Sequence, residues 1–256
     1  GTVLTVGTGV ESFKPGDWVY TTGTLTGAYA EMTVANAKSV HPLPDNLSFE
    51  EGAGIGIPFA AAYRALFQRA DAKPGETVLV HGASGGVGVA ATQMAKAKGM
   101  MVIGTAGTPG GLVLAQKMGA DHTVDHTSAD HGDVVMKLTA GRGVDVILEM
   151  LANENLGADL RMLADKGRVV VIGSRGDVNI NPRDLMARES AILGMMVPKA
   201  TQEEREAMDA GIGEMLREGK LRPVVGKVLP LKDAARAHTE IIEGDAHGKI
   251  ILKVGE

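Results

Sequence analysis

Apolar runs alternate with helix-like patterns along the chain from Pro74 onward. Each run is short and rich in Val, Ile and Leu, and most are followed by a stretch with apolar residues at helical spacing. Such alternation is typical of βαβ units, which build a parallel sheet with helices on both faces. We therefore predict an α/β fold with a doubly wound parallel sheet. Its predicted strands are TVLVHG, MVIGTAG, HTVDH, VDVILEM and RVVVIGS, followed by AILGMMV as a further strand at the sheet edge.

The segment from Gly1 to about Val40 has a different pattern. Short alternating segments are interrupted by Gly, Pro and Asp, and this pattern predicts β-strands at TVLTVG, DWVYTT, AYAEMTV and SVHPLP. Ser48 and Glu51 are then spaced as a helix capping box. Near the end of the chain, GKIILKV predicts a strand that returns to the β-rich part. We therefore expect a border near residue 51 and a second border near residue 226.

Composition narrows the classes of function. With 26 basic and 31 acidic residues the net charge is −5, so no general positive field attracts nucleic acid or an anionic membrane. Cysteine is absent, which excludes disulfides and thiolate-ligated zinc within the chain. No apolar run approaches the roughly 18 residues that a membrane helix needs. We expect a cytoplasmic protein and, because GTVLTVGTGV starts without Met in a strand-like pattern, a segment upstream of Gly1.

A glycine-rich turn carries the main chemical signal. HGASGGVGVA, from His81 to Ala90, directly follows an apolar run and has the spacing Ala83-x-Gly85-x-x-Gly88. A bare backbone lets a diphosphate approach, and the start of the next helix offers unpaired N–H groups and a positive dipole end. A plain flexible turn is the alternative interpretation. The strand before the turn, the helix after it and the βα units behind it favour a Rossmann dinucleotide-binding domain.

A cofactor lying across the strand ends would contact the residues that follow each strand. His126 follows one strand but also suits an ordinary surface or core position, and Asn155 equally suits a helix cap. Arg175 is the best single candidate, because a lone Arg in a Gly-rich loop suits a phosphate or ribose edge, although a solvated loop charge is a rival. The candidates are Gly104 to Thr108, His126, Met150 to Asn155, and Gly173 to Arg175.

The choice between NAD and NADP depends on the segment after the second predicted strand. NAD sites usually carry an acidic residue about 20 residues past the glycines, where it binds the ribose 2′-hydroxyl. From Met100 to Ala120 there is no Asp or Glu, and GTAGT offers hydroxyls and small residues instead. This favours NADP, which a carboxylate would repel. Against it, no Arg or Lys stands close, since the first, Lys117, lies well along the next predicted helix.

A series of blocks occurs in a specific order along essentially the whole chain: FKPGDWVY, GAYAEM, GIGIPF, AYRAL, VLVHGASGGVG, GTAGT, EMLAN, IGSRG, INPRD and GKIIL. In this order they resemble the zinc-independent quinone oxidoreductases of the medium-chain dehydrogenase/reductase superfamily, and among them the zeta-crystallin branch. The resemblance implies a Rossmann domain at residues 51–226, with the remnant of a GroES-like catalytic domain at residues 1–50 and 227–256. It also implies NADPH-dependent reduction of quinones without metal, a cytosolic homo-oligomer (dimer or tetramer) and binding of AU-rich RNA.

Carried over position by position, the resemblance implies a set of NADP(H) contacts. They are Ser84, Gly85, Gly86, Val87, Gly107, His126, Asn155, Ile172, Gly173, Ser174, Arg175, Met195, Met196 and Val197.

The chain departs from the family pattern at three places. The first part of the family's catalytic domain has no counterpart. Ala61 stands where a threonine is often found before AYRAL. Pro109 to Gly111 lie where many relatives carry a basic residue. The missing part of the catalytic domain leaves open a cofactor-binding structural protein without turnover. RNA binding, which the resemblance implies, is a third possibility, although the acidic balance and the lack of a Lys/Arg stripe count against it.

No catalytic acid is assigned. The hydroxyls closest to such a site are Tyr20, Tyr29 and Tyr63, and each suits a half-buried core position better. We expect residues Ile57 to Tyr63 to line the substrate side, and the apolar edge strand AILGMMV to invite pairing with a second copy of the chain.

Overall fold

Two short strands open the chain in the computed structural model, which describes residues 1–243 and 247–255. β1 (Val19–Thr21) and β2 (Val40–Pro42) pair antiparallel, with Tyr20 opposite His41. They confirm the predicted strands DWVYTT and SVHPLP.

Of the other two predicted N-terminal strands, TVLTVG is reduced to an isolated antiparallel bridge of Thr2 with Trp18. The prediction of a strand at AYAEMTV is wrong, since residues 28–35 form none. A strand is stabilised by a neighbour that takes its backbone hydrogen bonds, and within the described residues no strand pairs with AYAEMTV. One backbone hydrogen bond, from Leu25 N to Val34 O at 2.7 Å, joins the ends of this loop. Its apolar side chains therefore stay in solvent, with Met32 70% exposed.

The central sheet has six parallel strands: β3 (Thr77–Val80), β4 (Met101–Ala106), β5 (His122–Asp125), β6 (Val144–Glu149), β7 (Leu163–Val171) and β8 (Ala191–Gly194). Their order across the sheet is β5-β4-β3-β6-β7-β8. This is the strand order of a dinucleotide-binding sheet. The first strand, β3, lies at the centre, β4 and β5 are added on one side of it, and β6, β7 and β8 are added on the other side. The predicted doubly wound α/β sheet is confirmed, with AILGMMV at its edge.

Helices cover both faces of this sheet. Val78 and Val80 of β3 point into one apolar core and Leu79 points into the other, and all three are fully buried. The helices are α1 (Phe49–Ala53), α2 (Gly56–Tyr63), α3 (Gly86–Ala97), α4 (Pro109–Lys117), α5 (His131–Leu138), α6 (Ala152–Met162), α7 (Pro182–Met186), α8 (Gln202–Arg217) and α9 (Ala234–Glu243). Within the described residues, no helix has the length and apolar character that would let it cross a bilayer.

Side chains at the helix starts explain where several helices begin. The capping box of Ser48 and Glu51 is formed at α1, and Thr201 with Glu204 forms a second one at α8. Asn181 caps α7 ahead of Pro182, as the sequence predicts. Each cap satisfies backbone N–H groups that a helix start leaves without partners.

A small parallel sheet of two strands, separate from the β1–β2 pair, brings the end of the chain to the central sheet. It consists of β9 (Val225–Pro230) and β10 (Lys249–Lys253). Just before β10, Gly248 makes an isolated parallel bridge with Gly85, and its N–H donates to Ser84 O at 2.8 Å. The C-terminal segment therefore lies against the glycine-rich turn between β3 and α3.

Candidate cofactor site

The glycine-rich turn forms a strand-to-helix junction at the centre of the sheet. β3 ends at Val80, and Gly85 is the N-cap of α3, where no side chain accepts a hydrogen bond from the helix start. A Cβ at Gly88 would lie 2.2 Å from Gly82 O, whereas one at Gly85 would lie 3.4 Å from the same oxygen. Gly88 is thus required for α3 to pack on the turn. Gly85 has no side chain that could accept hydrogen bonds from the first N–H groups of α3. This arrangement suits an anion at the N-terminus of α3.

The other predicted cofactor residues lie at the same edge of the sheet. Because all six strands are parallel, their carboxyl ends meet at one edge, where a doubly wound sheet binds its ligand. Ser84 to Val87 follow β3, Gly107 follows β4, His126 follows β5, Asn155 lies in the first turns of α6 after β6, Ile172 to Arg175 follow β7, and Met195 to Val197 follow β8.

Close contacts join neighbouring members of this set. A Cβ at Gly107 would lie 2.8 Å from His126 Nε2, so these two positions are adjacent. Asn153 Oδ1 accepts a hydrogen bond from Arg175 N at 2.8 Å, which links the loops after β6 and β7. Met195 N donates to Val171 O at 3.2 Å, and Met195 is buried while Met196 is 63% exposed. These contacts join the loops after β4 and β5, the loops after β6 and β7, and the ends of β7 and β8. We call this edge of the sheet, with its loops, the rim.

Sequence reasoning missed two residues of the C-terminal segment. His247 Nε2 lies 2.8 Å from the hydroxyl of Thr108, which also caps α4 by accepting from Gly111 N. A Cβ at Gly110 would lie 2.6 Å from the His247 ring, so the missing side chain at Gly110 makes room for the imidazole.

The aliphatic stem of Lys249 lies across Gly86, with Cδ 2.7 Å from a Cβ placed there. His247 thus reaches the corner after β4, where the local sequence contains no basic residue, and Lys249 lies at the start of α3.

A buried cluster of ionisable side chains lies directly beneath the rim. It consists of His81, Glu149 and Asp159, and all three are almost completely buried. His81 Nε2 lies 2.9 Å from Asp159 Oδ1 and 3.6 Å from Glu149 Oε2. Glu149 Oε1 accepts hydrogen bonds from Leu151 N and, at 3.2 Å, from Asn155 Nδ2. Glu149 thereby orients one of the predicted cofactor residues.

Burial shifts the pKa values of these three groups in the directions that favour their neutral forms. Desolvation raises the pKa of Glu149 to about 7 and that of Asp159 to about 7. Desolvation also lowers the pKa of His81. At His126 the pKa is lowered, first by desolvation and then by the neighbouring His81. Both imidazoles are therefore held neutral near neutral pH, where the carboxyl groups titrate.

The three tyrosines lie in different environments. Tyr20 is buried against His41, and burial raises its pKa to about 12. Tyr63 packs edge-on against Phe67. The expectation of a half-buried core position is wrong for Tyr29, which is 59% exposed and lies 3.1 Å from His238 Nε2 through its hydroxyl.

The predicted substrate-side segment lies on α2 beside the glycine turn. A Cβ at Gly86 would lie 3.5 Å from Pro58 Cγ, which places the start of α2 against the start of α3. Ile57 is 57% exposed, whereas Phe59 and Ala61 are buried. α2 then continues into a π-helical segment, Arg64–Arg69.

Known proteins are similar to this chain in both sequence and fold. A family model described as "Zinc-binding dehydrogenase" matches residues 86–211. The quinone oxidoreductase of Pongo abelii is 47% identical over 253 residues, which cover 98% of this chain and 77% of that protein. The quinone oxidoreductase of Homo sapiens is 46% identical over the same shares of the two chains.

Solved structures agree with the sequence comparison. An NAD-dependent alcohol dehydrogenase superposes with a TM-score of 0.90 at 33% identity, over 100% of this chain and 81% of that one. A mycobacterial protein complexed with NADPH superposes with a TM-score of 0.87 at 29% identity, over 100% of this chain and 80% of that one. The resemblance seen in the ordered blocks is thus confirmed. The chain belongs to the quinone oxidoreductase family of the medium-chain dehydrogenase/reductase superfamily and is an oxidoreductase.

Proposed function

We propose that this chain reduces quinones with NADPH in the cytoplasm. The observation that carries this proposal is the N-terminus of α3, which no side chain caps and beside which the stem of Lys249 lies, at the centre of a sheet with the dinucleotide-binding strand order. The residues that the resemblance implies as cofactor contacts all lie on the rim around this helix start. The names of the relatives supply the acceptor class, since they are quinone oxidoreductases.

NADPH rather than NADH is favoured by the corner after β4. No acidic side chain lies between Met100 and Ala120, so nothing in this segment repels a 2′-phosphate or binds a ribose 2′-hydroxyl as an acid would. His247 and the Thr108 hydroxyl meet at this corner, 2.8 Å apart. Hydroxyl and imidazole N–H groups are suitable donors for phosphate oxygens.

The side chains of this protein position the reactants and leave the redox chemistry to the cofactor. Bound NADPH would supply the hydride, and a quinone is already electrophilic, so little acid or base assistance is needed. The turn from Ser84 to Val87 would hold the diphosphate through backbone N–H groups. The α2 segment from Ile57 would cover the reacting face and exclude water. Zinc is not required for this chemistry, and the chain has no cysteine to ligate it.

A homo-oligomer is part of the proposal. β8 is an edge strand of the central sheet, and pairing with a second copy would extend the sheet across a two-fold axis. Met186 and Met196 flank this edge in sequence and are 74% and 63% exposed. Burial of such apolar side chains would stabilise the contact.

Steady-state oxidation of NADPH with 9,10-phenanthrenequinone tests the function. Gly85→Asp places a carboxylate where the diphosphate would lie, and we expect at least a hundredfold loss of kcat/KM. Gly85→Ala separates added bulk from added charge, because a Cβ there has only an ordinary contact with Gly82 O and leaves the fold intact, so its loss of kcat/KM should be smaller than that of Gly85→Asp. No oxidation of NADPH by the wild-type chain, or equal activity in Gly85→Asp and the wild type, would contradict the proposal.

A further inference from the structure

A line of four side chains connects the buried cluster to the cofactor rim. Asp159 Oδ1 lies 2.9 Å from His81 Nε2, and His81 Nδ1 lies 3.2 Å from the Thr105 hydroxyl. The same hydroxyl lies 3.3 Å from His126 Nδ1. Every step is at hydrogen-bond distance, and only His126, at the outer end, is partly exposed. We call this line the His126–Asp159 chain.

Within the His126–Asp159 chain, the position of each hydrogen is determined by the neighbouring hydrogen bond. The Thr105 hydroxyl has one hydrogen and also accepts from Gly82 N at 3.3 Å. It can therefore donate to one of the two histidines and must accept from the other. When Asp159 is ionised, it accepts from His81 Nε2, so His81 Nδ1 accepts from Thr105. His126 Nδ1 must then donate to Thr105, and His126 Nε2 presents a lone pair beside Gly107.

Protonation of Asp159 reverses the direction of every bond. The Asp159 carboxyl then donates to His81 Nε2, His81 Nδ1 donates to Thr105, and Thr105 donates to His126 Nδ1. His126 Nε2 now carries the hydrogen and becomes a donor toward the rim. The two states differ by one proton, which enters from solvent at His126 Nε2 while one hydrogen shifts across each inner bond, so that the added proton resides on Asp159. Neither imidazole is charged in either state.

We propose that the His126–Asp159 chain is a proton wire that stores a proton beneath the cofactor site and switches His126 from an acceptor to a donor toward the bound cofactor. In this role Asp159, His81 and Thr105 are positioning residues, since they act through His126. The proposal deepens the proposed function, because it assumes that the cofactor ribose and its 2′-phosphate lie beside Gly107 and His126. A neutral donor at this place would bind a phosphate oxygen without placing a charge next to the buried cluster.

The charges around the His126–Asp159 chain favour a carboxyl group over an imidazole as the place of the stored proton. Desolvation raises the pKa values of Asp159 and Glu149 to about 7 each, and the hydrogen bond between these two carboxyl groups raises the pKa of Glu149 and lowers that of Asp159. Desolvation lowers the pKa values of His81 and His126. A proton that enters near neutral pH is therefore held by a carboxyl group before either imidazole is charged. Other titratable groups also influence the pKa values within the His126–Asp159 chain, and each of them is present in all the variants used below. They are Glu149 on β6, His131 on α5 and Asp125 on β5.

Nitrogen-15 NMR of histidine-labelled protein tests the wire directly. The seven histidines give distinct ring signals whose couplings identify the tautomer, and a His126→Gln variant assigns the signal of interest. In the free protein we expect neutral His126 to carry its hydrogen on Nδ1 at pH 8 and on Nε2 at pH 6. Thr105→Val keeps the side-chain shape but removes the hydroxyl, so the tautomer should no longer follow the ionisation of Asp159. Thr105→Ser restores the hydroxyl and should restore the change.

Binding of NADP⁺, which is stable in mild acid, supplies the functional readout. We expect roughly tenfold tighter binding at pH 6 than at pH 8 from the added donor. The gain should be reduced in Thr105→Val and restored in Thr105→Ser, while titration of the ligand's own phosphate is common to all three proteins. Retention of one His126 tautomer between pH 6 and pH 8, or an unchanged tautomer switch in Thr105→Val, would overturn the wire. So would a stoichiometric metal ion bound by His81, Glu149 and Asp159.

The two readouts separate the two proposals. A tautomer switch in the free protein supports the wire even where NADP⁺ does not bind, and that combination would reject the proposed function alone. Binding of NADP⁺ with no tautomer switch would retain the proposed function and reject the wire.

Discussion

At the scale of single residues, two glycines of the same turn are required for different reasons. The spacing of Gly85 and Gly88 could be read from the sequence, but the distances that separate their roles could not. A Cβ at Gly88 would lie 2.2 Å from the backbone oxygen of Gly82, and backbone atoms cannot move aside as a flexible side chain does. Gly85 has space for a methyl group and an ordinary φ of −82°.

The comparison of Gly88→Ala with Gly85→Ala tests this difference. We expect Gly88→Ala to lower the free energy of unfolding by about 1–3 kcal/mol, because α3 must shift away from the turn. Gly85→Ala should change it by less than about 1 kcal/mol. Urea unfolding followed by circular dichroism measures both. Equal stability of the two variants would show that Gly88 is not needed for packing.

Asp159 makes the stability of the protein depend on pH. Its pKa is raised from 3.8 to about 7 by burial, so between these values the folded state binds more protons than the unfolded state. The contribution of this group therefore falls as pH rises from about 4 to about 7. Asp159→Asn cannot ionise, so its deficit relative to the wild type should shrink by about 1–4 kcal/mol between pH 5 and pH 8. Urea unfolding of both proteins at the two pH values measures this change, and a constant or growing deficit would contradict the raised pKa.

At the scale of elements, the sequence was sufficient where local rules decide the structure. The apolar runs of the central sheet and the caps at Ser48 and Asn181 follow from hydrophobic periodicity and from the hydrogen bonds that a helix start lacks. The same rules failed for AYAEMTV. Alternation predicts a strand only when a partner strand is available, and periodicity carries no information about a partner.

The capping box of α8 is a local pair of hydrogen bonds whose contribution to stability can be measured. Thr201 Oγ1 accepts from Glu204 N at 3.2 Å, and Glu204 Oε2 accepts from Thr201 N at 2.8 Å. We expect Thr201→Ala to lower the free energy of unfolding by about 1 kcal/mol, since α8 carries Met208, Ile212 and Leu216 into the core. The neighbouring Gln202→Ala changes an exposed side chain of the first turn and serves as the control. If thermal unfolding shows the same midpoint for both variants, the box does not stabilise α8.

At the scale of the whole molecule, contacts between distant parts of the chain could not be predicted. Thr108 and His247 are 139 residues apart, and no local pattern links them. They meet because β10 returns to the glycine turn through the bridge of Gly85 with Gly248. The absence of a basic residue near Gly107 was correctly read from the local sequence. The structure supplies a basic side chain there, His247, from a distant part of the sequence.

The edge position of β8 predicts the assembly. We expect sedimentation equilibrium to give a mass at least twice that of the 26.6 kDa chain. Within the described residues the outer edge of β8 has no partner strand, and an open edge with apolar neighbours favours association. A single species with the mass of one chain at micromolar concentration would reject the proposed oligomer.

The proposed function depends on binding of the NADPH diphosphate at the N-terminus of α3. Isothermal titration calorimetry of the chain with NADPH, and then with NADH, measures this binding. We expect one site per chain for NADPH, weaker binding of NADH, and loss of the NADPH signal in Gly85→Asp. Absence of heat with either coenzyme under conditions where the protein is folded, or the same NADPH affinity in Gly85→Asp as in the wild type, would contradict it.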